Sequence, residues 1–107
     1  MDLQMHLSMF FRKIEDDPQI NSTQICIYMA LVRLWADNQQ TSPFQIKRRT
    51  VMQMSKINSR STFSKSMKQL HDLGYIKYIP SFNPEINSMV CLALEERSGS
   101  QKTISRP

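Results

Sequence analysis

The first part of the chain carries apolar residues at helical spacing in two segments. Over residues 3–14 they form one stripe, and the acids and the proline of residues 15–18 end that segment. A second segment begins at Asn21 or Ser22, either of which is a good N-cap, and runs to about Asp37. Its apolar residues cover more than one face, which predicts a central helix buried on several sides. The stripe of the first segment consists of Leu3, Leu7, Phe10, Phe11 and Ile14.

The middle of the chain predicts a brief strand and a short helix. Residues 44–46 have the alternation of a short strand, and residues 47–54 follow with helical spacing. In this helix we expect Val51 and Met54 to face inward. Residues 55–58 then read as a turn.

A longer helix is predicted over residues 59–73, with Ser59 as its cap and Gly74 as the residue just past its end. The period then changes, and residues 75–79 and 89–94 are typical of strands joined by a loop rich in turn formers. The expected fold class is mainly α with a small β-hairpin, that is, α+β. The buried stripe of the long helix comprises Phe63, Met67, Leu70 and Leu73.

Charge is distributed unevenly along the chain. Between Asp37 and Asp72 there are 7 of the 14 basic residues and none of the 9 acidic ones, so this stretch is +7 and the rest of the chain is −2. A one-sided positive field attracts a polyanion, and nucleic acid is the first candidate. The seven residues are Lys47, Arg48, Arg49, Lys56, Arg60, Lys65 and Lys68.

Residues 59–76, SRSTFSKSMKQLHDLGYI, resemble the recognition helix and first wing strand of winged helix-turn-helix proteins. The resemblance extends over residues 20–94. This segment is similar to the DNA-binding domains of MarR-like and GntR-like regulators and of plasmid and phage replication initiators. It implies a winged helix-turn-helix domain over 19–94. The apolar stripe predicts an N-terminal amphipathic helix over 1–18, and the polar residues of 95–107, which have almost nothing to bury, predict a flexible tail. The matching positions are Ser59, Thr62, Phe63, Met67, Leu70, Leu73, Gly74, Tyr75 and Ile76.

Two features depart from the family's pattern. Lys56 occupies the turn between the two helices, where the family usually has glycine. The wing tip, residues 81–87, contains Glu85 and no basic residue. We therefore expect the wing to touch phosphate through Ser or Asn, or to pack against protein, and not to insert into DNA.

The inward stripe of the long helix determines which side chains face outward, and in helix-turn-helix docking the first turns of the second helix reach base edges. Base reading is therefore expected from Asn58, Ser59, Arg60, Ser61 and Ser64. Phosphate contacts are expected from Lys47, Arg48, Arg49, Thr50, Lys56, Lys65, Lys68 and Lys77.

These expectations favour a small bacterial or phage-type transcriptional regulator that binds double-stranded DNA sequence-specifically. A winged-helix protein-interaction module and a replication-initiation protein of a mobile element are the alternatives. RNA binding ranks lower because Phe82 is the one obvious exposed aromatic residue. The N-terminal stripe either packs on the core or forms a homodimer interface.

No catalytic arrangement is apparent in the sequence. His6 and His71 are isolated, and Cys26 and Cys91 lie far apart without a CxxC spacing, so no four-residue metal site is formed. We expect no enzyme activity, cofactor, metal or small-molecule effector, and we expect both cysteines to be small buried residues. No apolar run approaches the roughly 18–20 residues that span a bilayer, so no membrane partner and a cytoplasmic location are expected.

Overall fold

The computed structural model describes residues 3–81 and 87–92. Within these residues the chain forms helices and a small antiparallel sheet, which confirms the mainly helical α+β class. The expected wing tip and C-terminal tail lie, except for residues 81 and 87, outside the described residues. The elements are α1 Leu3–Glu15, α2 Ser22–Asp37, β1 Phe44–Ile46, α3 Arg48–Ser55, α4 Arg60–Asp72, β2 Ile76–Ile79 and β3 Ser88–Leu92.

Side-chain caps explain where two of the helices begin. The Asn21 carboxamide oxygen accepts from the Gln24 backbone N–H at 3.0 Å, and the Gln24 side chain accepts from the Asn21 N–H at 2.9 Å. This reciprocal capping box identifies Asn21, rather than Ser22, as the cap of α2. Ser59 caps α4 by accepting from the Thr62 N–H at 3.2 Å, as predicted.

The sheet has one strand more than the expected two-stranded hairpin. Its order is β1-β3-β2 with both pairings antiparallel, so β3 lies in the middle. The brief strand β1 joins because Phe44 and Ile46 alternate inward while Gln45 is exposed, which is the pattern of an edge strand with one buried face. Phe44 pairs with Val90, and on the other side Ile76 pairs with Leu92.

Helix α2 is the centre of the core, as its multi-faced pattern predicts. Ile27, Leu31 and Trp35 are fully buried on it, and α4 packs against it with Phe63 and Met67. A polar tie accompanies this packing, because the Gln24 side-chain amide donates to the Gln69 side-chain oxygen.

Helix α1 is attached to this core mainly through aromatic contacts. The Phe10 ring stacks on Tyr28 with a centroid separation of 3.9 Å and meets the edge of Tyr75 at 5.7 Å. The Tyr75 hydroxyl in turn donates to the Asp17 carboxylate at 2.8 Å, just beyond the end of α1. Part of the α1 stripe therefore packs on the core, with Phe10 fully buried and Leu7 and Ile14 partly buried. Leu3, Met5 and Phe11 remain exposed.

Two burial predictions were wrong, one because of the phase of a short helix and the other because it rested on residue type alone. Met54 is 38% exposed, because the inward face of α3 continues from Val51 to Ser55, four residues on, whose hydroxyl donates to the Val51 carbonyl at 2.6 Å. Cys26 is exposed, whereas Cys91 is buried as expected. Cys26 belongs to the solvent-facing stripe of α2 that also carries Arg33.

None of the helices within the described residues is long and apolar enough to cross a membrane.

Candidate nucleic-acid interface

The site begins with the turn that joins α3 to α4. Lys56 ends α3 in the left-handed conformation, with φ 62° and ψ 37°. The Ile57 N–H closes the end of the helix by donating to the Met52 carbonyl at 2.9 Å. Left-handed geometry costs a non-glycine residue roughly 1–2 kcal/mol, so Lys56 occupies a position that glycine would fill without strain. The turn thus carries a cation at a position whose positive φ would favour glycine.

An open groove of about 730 Å³ lies between α3, this turn and the start of α4. We call it the basic groove. Four of its lining residues are cationic, and among the residues that the structure describes no acidic one lines it. Met52 and Ile57, both half-buried, are its apolar members. The lining residues are Arg48, Arg49, Met52, Gln53, Lys56, Ile57, Asn58 and Arg60.

No acidic residue in the described part of the chain forms an ion pair with a cation of the basic groove. Within residues 3–81 and 87–92, the ion pairs are Arg33–Asp37 at 3.2 Å and Lys68–Asp72 at 3.1 Å, and neither involves a groove residue. Like charges gathered on one surface repel one another, and an incoming anion relieves that repulsion. The arrangement is therefore chemically suited to hold phosphate.

The outward face of α4 lies beside the groove. Phe63 and Met67 are buried, whereas Ser61, Ser64 and Lys65 are exposed, so these three side chains point away from the core. A helix that presents small and basic side chains along one face has the shape and polarity that a DNA major groove accepts.

Two of the residues expected at the interface already have partners on α4. The Ser59 hydroxyl holds the helix cap and also lies 3.1 Å from the Ser61 hydroxyl. The Lys68 ammonium donates to the Asp72 carboxylate at 3.1 Å. Both members of that ion pair are more than half exposed, so the pair contributes little to stability but reduces the local positive charge.

The structure brings together some predicted site residues and separates others. Arg48, Arg49 and Lys56 share the basic groove with Asn58 and Arg60. The remaining predicted contacts do not line it. Lys47, just before α3, and Lys77, on β2, are exposed, and Thr50 of α3 is half-buried. The others are exposed and belong to α4 or its cap: Ser59, Ser61, Ser64, Lys65 and Lys68.

The sequence analysis treated His6 as isolated and did not predict that it is buried among aromatic side chains. His6 is fully buried, its Nε2 lies 2.7 Å from the Tyr28 hydroxyl, and its ring centroid lies 5.0 Å from that of Trp35. Nδ1 has no hydrogen-bond partner among the described residues, and burial lowers the pKa of His6. The signal was present, because His6 precedes Phe10 by four residues on the apolar stripe.

The second histidine has a local backbone contact. His71 is exposed on α4, and its Nδ1 accepts from the Tyr78 N–H at 3.1 Å. Within the described part of the chain, no three His, Cys, Asp or Glu residues are grouped so that they could hold a metal ion.

Comparison with protein-family models, curated proteins and solved structures found no match to this chain. The functional interpretation accordingly rests on the geometry and charge of the chain itself.

Proposed function

We propose that this chain is a winged helix-turn-helix domain that binds double-stranded DNA through α3, the turn and the outward face of α4. The observation that carries the proposal is the basic groove, where Arg48, Arg49, Lys56 and Arg60 meet without a neutralising acid among the described residues. Duplex DNA carries one negative charge per 1.7 Å or so of its axis, which makes it the natural ligand for such a cluster.

The order of the elements supports a winged helix. Two helices, a short strand, a helix–turn–helix unit and an antiparallel strand pair follow one another along the chain, and β1 completes a three-stranded sheet. In this arrangement α4 is the recognition helix, and β2 with β3 is the wing. Helix α3 would cross the DNA backbone while α4 enters the major groove.

A domain of this kind acts by occupying DNA. We propose a small regulator that covers duplex DNA and blocks or directs the proteins that use it. If two copies bind a palindromic site, their α4 helices must lie about 34 Å apart, one turn of the duplex.

The experiment that tests DNA binding is a titration of a generic duplex at several salt concentrations. Five cations that the structure leaves free of acidic partners among the described residues are Arg48, Arg49, Lys56, Arg60 and Lys65. If all five meet phosphate, log affinity should fall against log salt with a slope near −4.5, since each phosphate contact contributes about −0.9.

A matched pair of variants controls for net charge. Arg48→Gln removes a groove cation and should reduce the slope by roughly 0.9. Arg33→Gln removes the same charge from the exposed face of α2, where Arg33 is paired with Asp37, and should leave the slope unchanged. No binding even at low salt would reject the proposal and favour the protein-interaction module.

A further inference from the structure

We infer that Arg60 binds a DNA phosphate inside the basic groove and does not read a base, so that this surface holds duplex DNA with little sequence preference. The inference rests on the proposed function. It changes the role that the sequence predicts for Arg60 and the kind of recognition that follows from it.

Arg60 is one of the residues that line the basic groove. It is the first residue of α4, and it lines the same groove as Arg48 and Arg49 of α3. Successive residues of a helix project about 100° apart, so Arg60 and Ser61 point in different directions from the same turn. Arg60 therefore belongs with the cations of α3 and Lys56 of the turn.

The charge of the basic groove indicates a negatively charged partner. Four cations around one groove need a ligand that carries full negative charge, and a phosphodiester supplies it. The edge of a guanine offers only partial charges and would leave the groove with an excess of positive charge. The fork of an arginine also matches two phosphate oxygens, so phosphate satisfies Arg60 in geometry as well as in charge.

The uncharged lining of the groove suits a nucleotide backbone too. Gln53 and Asn58 carry side-chain amides that can donate to phosphate oxygens, while Met52 and Ile57 offer apolar surface for the carbon atoms of a deoxyribose.

With Arg60 bound to phosphate, few side chains at the start of α4 remain for base reading. Ser59 is engaged in the cap, and Lys68 is paired with Asp72. The exposed groups left on the outward face of α4 include the short hydroxyls of Ser61, which lies 3.1 Å from the Ser59 hydroxyl, and Ser64, and the single positive charge of Lys65. A bidentate side chain supplies about 1–3 kcal/mol of discrimination per base pair, and a hydroxyl, which accepts several base edges, supplies less.

The test compares wild type with Arg60→Ala on a panel of duplexes of equal length and different sequence. Arg60 is exposed, so the variant should fold, which circular dichroism verifies. We expect wild type to bind all members within about tenfold, which corresponds to 1.4 kcal/mol. Arg60→Ala should weaken every member by roughly eightfold at 0.1 M salt and reduce the salt slope by about 0.9, the signature of one lost phosphate contact.

Selection of bound fragments from a random duplex pool completes the test, with Arg33→Ala as the control that removes a distant arginine. No strong consensus should emerge. A defined consensus, together with loss of preference at a single base pair in Arg60→Ala and an unchanged salt slope, would overturn the inference while leaving DNA binding intact. If wild type binds no duplex, the proposed function fails, and the inference fails with it.

Discussion

The two adjacent phenylalanines of α1 allow a direct test of how this helix is attached. Phe10 is fully buried and contacts the rings of Tyr28 and Tyr75, whereas Phe11 is 43% exposed. Replacing each with alanine removes the same atoms from neighbouring positions of the same helix. The two variants therefore differ in burial and not in the chemistry of the change.

The expected magnitudes are well separated. Truncating a buried phenylalanine to alanine costs about 3–5 kcal/mol, which includes the lost contacts and the cavity that remains. Phe11→Ala should cost less than about 1 kcal/mol, because much of its ring is already in water. A domain of this size is stable by only about 5–15 kcal/mol, so Phe10→Ala should remove a large share of the total.

Urea unfolding measures both values, because the single tryptophan, Trp35, is fully buried and its fluorescence should report the loss of the core. Size-exclusion chromatography of Phe11→Ala adds a check on self-association through the exposed side of α1. Equal and small costs for the two variants would refute the reasoning, since they would mean that α1 does not pack on α2 in solution.

Two further predictions concern His6 and Lys56. Burial lowers the pKa of folded His6, so the unfolded chain binds the proton more readily; the free energy of unfolding should be flat above about pH 6.5 and fall as the pH drops below it. His6→Phe should remove much of that fall, measured by urea unfolding across pH. Lys56→Gly should raise stability by roughly 1 kcal/mol because it relieves the left-handed strain, and it should weaken DNA binding because it removes a groove cation; a loss of stability would contradict the strain argument.

Most of the secondary structure could be predicted from local signals. Asn21, Ser59 and Gly74 mark helix ends by chemistry that acts within a few residues, and the helical stripes identify the core faces. The burial of Met54 was predicted wrongly because the helical phase of α3 was misjudged. A short helix such as α3 offers only two turns of pattern, so an error of one residue moved Met54 inward and left Ser55 outside.

Tertiary relationships were less accessible. The pairing of β1 with β3 joins residues more than forty positions apart, and no local signal records it. The burial of His6 follows the apolar stripe, but residue type argued against placing a histidine in the core.

The candidate site was predictable in composition and not in arrangement. The run of charge without acids identifies which residues form a positive surface. It does not show that Arg60 lies beside Arg48 and Arg49, because that depends on the angle between α3 and α4 and hence on the left-handed turn at Lys56. The pairing of Lys68 with Asp72, by contrast, follows from a spacing of four residues and could have been read directly.

The position of β1 in the sheet affects which substitutions should disturb the basic groove. Only Lys47 separates the end of β1 from Arg48, and β1 is held by its pairing with β3, where Phe44 lies opposite Val90. The position of the two arginines thus depends on an edge strand whose inward face is buried. If the chain binds DNA as proposed, a screen for variants that lose binding should recover substitutions at buried positions such as Phe44 and Val90 alongside those at the arginines, although these two residues would not contact the DNA.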